Sequence, residues 1–237
     1  MKQQEIELKL AAMANPLALY DHPSIVRYSK EPPKTIDLHT TYYDTSAYDL
    51  LNTGVALRIR ESDEGLVQTI KTVGKENLGM QLRTEWHKPI GAQEIDLSIV
   101  DDPGLQKALM TIATDKEIVP LFTTQFSRTI WDLAPTDKIH IEVVLDQGEI
   151  CADNTCIPIQ EIELELCQGK PVFLFEVAAD LALQMPIAVD PYSKAWKGYQ
   201  LHQAVHAGRR YQAPAIDAAQ SPEWFLHQAA QLRQQGE

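Results

Sequence analysis

Polar and apolar side chains alternate along most of the chain, and a period of two is the pattern of strands with one packed face. It begins at once: Glu5, Glu7 and Lys9 fall on one face, with Ile6, Leu8 and Leu10 on the other. Thr35 to Tyr43 is β-branched and aromatic and ends on the turn signal Asp44-Thr45-Ser46. From Gly54 to Glu61, Ala56, Arg58 and Arg60 oppose Val55, Leu57 and Ile59, and from Leu66 to Val73, Thr69 and Lys71 oppose Ile70. Gln81 to His87 gathers Gln81, Arg83, Glu85 and His87 on one side. Leu121 to Leu133 puts Phe126 and Arg128 together, and Lys138 to Asp146 does the same for His140, Glu142, Val144 and Asp146. Ile157 to Leu166 sets Glu161, Glu163 and Glu165 against Ile162, Leu164 and Leu166.

Helical patterns are fewer. Pro16 to Tyr28 reads as a short helix interrupted by Pro23, and Asp101-Asp102-Pro103 starts another over Leu105 to Ala113. Lys170 to Met185 and Ser193 to Ala207 complete a domain over residues 1–207. Residues 208–237 then read as an Ala/Pro-rich linker, Gln212 to Gln220, and a terminal helix opened by Ser221-Pro222-Glu223. That helix either docks on the barrel or leads into a further domain.

These segments make eight strands, most with one apolar face and one strongly charged face. The predicted fold is α+β: an eight-stranded antiparallel closed barrel, a tunnel with a charged interior and helices on its apolar outside. An open, solvated sheet face would also place charges on one side. Such faces mix Lys, Thr, Gln and Ser, whereas here the signs sort by strand, with acids at both ends of the series and bases between. That sorting favours a tunnel.

Composition narrows the function. With 44% apolar and 23% charged residues the chain is an ordinary globular protein. No apolar run of membrane-spanning length occurs and the N-terminus lacks a signal-peptide core, so no membrane partner is expected. A net charge of −12 disfavours nucleic acid. Cys151, Cys156 and Cys167 are an odd, sparse set that predicts free buried thiols in a reducing cytoplasm, although a Cys151–Cys156 pair is possible. They are too few, and too far along the chain from any histidine cluster, to suggest zinc.

The charged interior has its own chemistry. Its cations are Lys9, Arg58, Arg60, Lys71, Arg83, Arg128 and Lys194; its acids are Glu5, Glu7, Glu85, Glu142, Asp146, Glu161, Glu163 and Glu165. Burying so many ions empty would cost several kcal/mol for each unpaired one, so a polyanion and hard cations are the natural contents. Arginine forks grip phosphoryl oxygens, and carboxylates hold Mg²⁺ or Mn²⁺ that bridge to phosphates. Glu165, Glu85 and Arg83 also suit a surface or pairing role. Asp44 suits a turn, Trp224, Phe225 and Leu232 helix packing, and His202 with His206 the surface.

In its motifs the chain resembles the CYTH domains, or triphosphate tunnel metalloenzymes. The similarity rests on Glu5-x-Glu7-x-Lys9, Thr41-Tyr42-Tyr43-Asp44-Thr45, Ala56-Leu57-Arg58-Ile59-Arg60, Gln68-Thr69-Ile70-Lys71-Thr72 and Gln81-Leu82-Arg83-Thr84-Glu85-Trp86. It continues through Phe126-Ser127-Arg128, Ile141 to Gly148, Glu161 to Leu166 and Ser193 to Tyr199, with Lys197 where an Arg is expected. The resemblance implies an eight-stranded tunnel that binds triphosphate with a divalent metal. Glu5, Glu7, Glu161 and Glu163 then look like metal ligands, with Glu142 and Asp146 close by. Lys9, Arg58, Arg60, Lys71, Arg83, Arg128 and Lys194 look like phosphate binders, and Glu5, Glu7, Lys9 and Lys194 stand nearest the chemistry. Within the family the segments are most similar to bacterial inorganic triphosphatases, which often carry a C-terminal helical CHAD domain that binds polyphosphate. The expected reaction is metal-dependent hydrolysis of inorganic triphosphate to pyrophosphate and phosphate. An adenylyl cyclase, a thiamine or nucleoside triphosphatase, and a non-catalytic polyphosphate-binding module are the rival readings.

Overall fold

The structure, a computed structural model, describes residues 2–63, 65–72, 74–77, 79–92 and 94–234. Its strands are β1 (Lys2–Ala12), β2 (Lys34–Asp44), β3 (Val55–Ser62), β4 (Gly65–Thr72), β5 (Lys75–Asn77), β6 (Met80–Ile90), β7 (Val119–Thr136), β8 (Ile139–Ala152), β9 (Thr155–Gln168) and β10 (Ile187–Val189). The helices are α1 (Pro23–Tyr28), α2 (Asp49–Asn52), α3 (Pro103–Asp115), α4 (Val172–Ala182), α5 (Lys194–His206) and α6 (Pro222–Gln234). Hydrogen bonding runs β1–β9–β8–β7–β2–β3–β4–β6, and β6 pairs back onto β1, closing an antiparallel barrel. Every expected strand is present, except that Val73, at the end of one of them, lies outside the described residues. The short β5 and β10 pair with β6 and β1 and were not signalled by alternation.

Outside the barrel the apolar faces are covered as the pattern demands. Leu8, Leu10, Val143, Ile162 and Leu164 form one core with Leu174, Phe175 and Ala178 of α4, and each of these side chains larger than alanine contributes roughly 2 kcal/mol on burial. On the other flank Leu57, Ile59, Ile70 and Trp86 pack with Leu97 and with Leu109 of α3, whose N-cap Asp102 accepts from Leu105 N at 2.8 Å. Gln68 is fully buried and clamps the covering loop, donating to Asp96 O and accepting from Asp96 N, both at 2.7 Å. Phe225, Ala229 and Leu232 of α6 join the α4 core, so the terminal stripe is packing. The preceding segment is tied down where Gln220 bonds both Ile187 O and Val189 N.

Three expectations are corrected. Not every helix lies outside: Tyr199 and Leu201 of α5 pack with Leu38, Tyr42, Phe122 and Phe126, residues on the inward faces of β2 and β7, so α5 fills one end of the barrel. The approach is close. A Cβ on Gly198 would stand 2.0 Å from the Phe122 ring. His202 is buried rather than on the surface, with its Nδ1 2.8 Å from Tyr48 Oη and its ring stacked on His206. Cys151 and Cys156 face each other across the β8–β9 hairpin and form a disulfide, while Cys167 is free and exposed. The cysteines therefore do not argue for a reducing compartment. No helix among the described residues is long and apolar enough to cross a membrane.

Candidate functional site

Closure of the barrel sets the registers that build the site. Glu5 faces Arg83 and Glu7 faces Gln81 across β1–β6; Glu7 faces Glu165 and Lys9 faces Glu163 across β1–β9. Side chains far apart in sequence thus line a cavity of about 410 Å³, within the usual range for small-ligand sites. Every cation predicted to bind phosphate lines it: Lys9, Arg58, Arg60, Lys71, Arg83, Arg128 and Lys194. Glu5, Glu7 and Glu163 line it as well, as do Glu85 and Glu165.

Asp146 and Glu161 sit behind this lining, almost completely buried. Lys194 Nζ, placed by the first residue of α5, lies 2.6 Å from Asp146, 2.7 Å from Glu161 and 2.8 Å from Glu163. The α5 start is fixed by its N-cap, since Ser193 Oγ accepts from Trp196 N. Arg128 adds a fork onto Asp146 at 2.8 and 2.7 Å and reaches Glu163 at 2.6 Å. Lys197 bridges Glu161 and Asp190 at 2.7 and 2.8 Å, and Lys9 stands 3.5 and 3.7 Å from the same two. Burial alone would raise the Glu161 carboxyl, but Lys194, Lys9 and Lys197 hold it down to about 2. Lys194 shows the mirror effect: burial opposes its charge, yet Asp146, Glu161 and Glu163 raise its pKa well above the ordinary lysine value. For Lys9, burial outweighs its more distant carboxylates and lowers the pKa.

The layer nearer the start of β1 is richer in acid. Lys71 pairs with Glu5 and Glu85, Arg83 with Glu7 at 3.0 Å, and His87 with Glu85 at 3.0 Å. Burial, only partly offset by Lys71, pushes Glu5 up to about 8, and burial together with Glu142 and Glu163 pushes Glu165 up to about 7. Both shifts mark carboxylates short of cations.

On β3 the imbalance is reversed. Among the described residues neither Arg58 nor Arg60 has a carboxylate within ion-pair distance; Arg60 Nε meets only the Thr40 hydroxyl, at 3.3 Å. Burial, then repulsion from Arg58 and Arg128, lowers Arg60 to about 9. Two partly buried guanidinium groups with no carboxylate in direct ion-pair contact among the described residues suit an anion.

The donor set also fits a hard divalent cation. Asp146, Glu161 and Glu163 bring carboxylate oxygens within 4.8 Å of one another, and Glu5, Glu7 and Glu165 supply more oxygens beside them. Glu142, four residues from Asp146 on one strand and roughly 13 Å along it, adjoins that group only through Glu165, which it faces across β8–β9. Its other neighbours are His140 and Cys167. Asp44 works as a turn residue, accepting from Thr45 N, Leu50 N and Leu51 N and from Tyr199 Oη. Asp190 and Lys197 were missed as members of the buried network. Asp190 lies outside any alternating strand, so it left no signal.

The chain was compared with known proteins. Residues 3–199 match the family model described as CYTH domain. An inorganic triphosphatase of Haemophilus influenzae is 34% identical over 199 residues, covering 84% of this chain and 55% of that protein, so the chain spans about half of its relative's length. A solved structure from Hippeastrum, described as an adenylyl cyclase with a dominant triphosphatase activity, is similar with a TM-score of 0.55 at 18% identity. That match covers 87% of this chain and 97% of that one.

Proposed function

The chain belongs to the CYTH-domain family, and on that premise we propose that it hydrolyses inorganic triphosphate to pyrophosphate and phosphate, with Mg²⁺ or Mn²⁺. The observation that carries the reading is the partly buried Arg58–Arg60 pair, with no carboxylate in ion-pair contact among the described residues, in one cavity with Glu5, Glu7 and Glu163. A plain anion-binding pocket would be weakened by those acids. A metal-bound polyphosphate satisfies both sets. The relative from Haemophilus influenzae supports the substrate.

In this reading Arg58 and Arg60 hold adjacent phosphoryl groups by their planar forks, and Lys71, Arg83, Arg128, Lys9 and Lys194 neutralise charge along the chain. Glu5, Glu7, Asp146, Glu161 and Glu163 are the residues that would hold the cation. When bound, the cation supplies charge neutralisation on phosphoryl oxygens and lowers the pKa of a coordinated water. The closed barrel holds the substrate extended, so positioning supplies part of the rate. Glu142 stands apart from that set.

Phosphate release from triphosphate, ATP and thiamine triphosphate, with Mg²⁺, Mn²⁺ or EDTA, tests the proposal. Turnover of triphosphate that EDTA abolishes and Glu7→Gln lowers by about 100-fold or more is the expected result. Cyclic AMP from ATP would replace it with the cyclase reading, and tight binding of triphosphate without turnover would leave a binding module.

A further inference from the structure

Glu142 does not reach the carboxylates around Lys194; it belongs to a different constellation at the barrel's rim. The ligand atoms of His140, Glu142 and Cys167 lie within 4.8 Å of one another. Asp132 adds a fourth donor, because its Oδ1 is 2.6 Å from His140 Nε2 and it faces Glu142 across β7–β8.

The local backbone explains how Cys167 enters this group. On the β8–β9 ladder His140 pairs with Gln168 but Ile141 pairs with Leu166, so Cys167 is the extra residue of a β-bulge. Alternation from Glu165, which faces Glu142, already puts Cys167 on the Glu142 face, and the bulge moves the partner of His140 on by one residue while the thiol stays beside both. A second feature points the same way. Asp132 Oδ1 and His140 Nε2 are both shielded from water and meet at 2.6 Å, so the carboxylate orients the imidazole beside Glu142 and Cys167.

We propose that Asp132, His140, Glu142 and Cys167 form a binding site for one borderline-soft divalent cation of the zinc class. One sulfur, one imidazole nitrogen and carboxylate oxygens are the donors zinc takes in four-coordinate sites, whereas Mg²⁺ and Mn²⁺ are held by oxygen. The site is separate from the carboxylates around Lys194, and it does not depend on the triphosphatase reading. The other sulfur-containing cluster, Glu149 with Cys151 and Cys156, lies at the opposite end of the same hairpin and has its sulfurs joined to each other.

The test is titration of the metal-stripped full chain with Co²⁺, followed in the near ultraviolet, beside measurement of bound zinc. Thiolate-to-cobalt absorption is expected in the wild type and in Cys151→Ser, with excess Mg²⁺ present. The same band, and one equivalent of bound zinc, should be lost in Cys167→Ser and in His140→Gln. Circular dichroism checks that both variants fold, and mass spectrometry should show Zn²⁺ shielding the wild-type Cys167 from alkylation. A wild type without the band, a band that survives Cys167→Ser, or unimpeded alkylation in saturating Zn²⁺ would overturn the site.

Discussion

Two charged regions of one barrel interior are built on opposite terms. Behind the cavity, Asp146, Glu161, Glu163 and Asp190 are interleaved with Lys9, Arg128, Lys194 and Lys197, and nearly every oxygen meets a cation. On the β3 wall, Arg58 and Arg60 are only partly buried and have no carboxylate within ion-pair distance among the described residues. Burial costs both regions the same kind of desolvation. The network offsets that cost internally and so contributes to holding β1, β8, β9 and α5 together. The arginine wall leaves it unmet, and a ligand must offset it. Imbalance marks a site most plainly, and a cation taken up by Asp146, Glu161 and Glu163 would have to displace Lys194 and Arg128 from them.

The largest effect should come from breaking the balanced region. Lys197→Met strands Glu161 and Asp190 against fewer cations and is expected to cost about 3–5 kcal/mol of stability, read by urea unfolding. Adding Asp190→Asn should recover part of that loss, because the pair is coupled. Unchanged stability in Lys197→Met would erase the contrast between the two regions.

The wall should respond in the opposite way. Arg58→Ala is expected to lower kcat/KM for triphosphate by about 100-fold, roughly 2.7 kcal/mol, while the melting temperature stays level or rises. A parallel loss of stability would show that Arg58 belongs to the structural class after all.

Between them stands α5, which carries Lys194 into the network. Gly198→Ala drives a methyl group into the Phe122 ring and should cost about 1–3 kcal/mol. The proposed release of phosphate from triphosphate, at a temperature where the variant remains folded, should fall as well, because the shift moves Lys194. Activity equal to wild type there would uncouple the plug from the site.

The smallest effect belongs to an exposed pair. Asp96 accepts from Lys88 at 2.5 Å and from Ser98 N at 2.9 Å, bonds that hold its carboxyl down to about 2. Its folded pKa is depressed, so its contribution is present above the usual carboxylate value, near 4, and is lost as the pH falls toward about 2. With water reaching the pair, that contribution is about 1 kcal/mol or less. Asp96→Ala should therefore lower stability slightly at pH 7 and by clearly less at pH 2, where the carboxyl is half protonated, by denaturant titration at the two values.

Alternation along single strands was enough to read much of this protein. Period two says which side chains share a face, so Glu5, Glu7 and Lys9, or Arg58 and Arg60, were legible as one wall without any neighbour in view. The ordered motifs made the barrel and its family readable in the same way. Which charges meet was not legible, because pairing depends on closure and register between strands remote in sequence. Glu7 reaches Glu165 and Lys194 reaches Asp146 for that reason only. The tertiary structure alone placed α5 inside the barrel, where an apolar inner surface awaited it, and buried His202 against Tyr48. It joined Cys151 to Cys156 across a hairpin and set Cys167 beside His140 and Glu142 at the hairpin's other end. Local periodicity assigns a side chain to a face, and only the packed chain decides what stands opposite it.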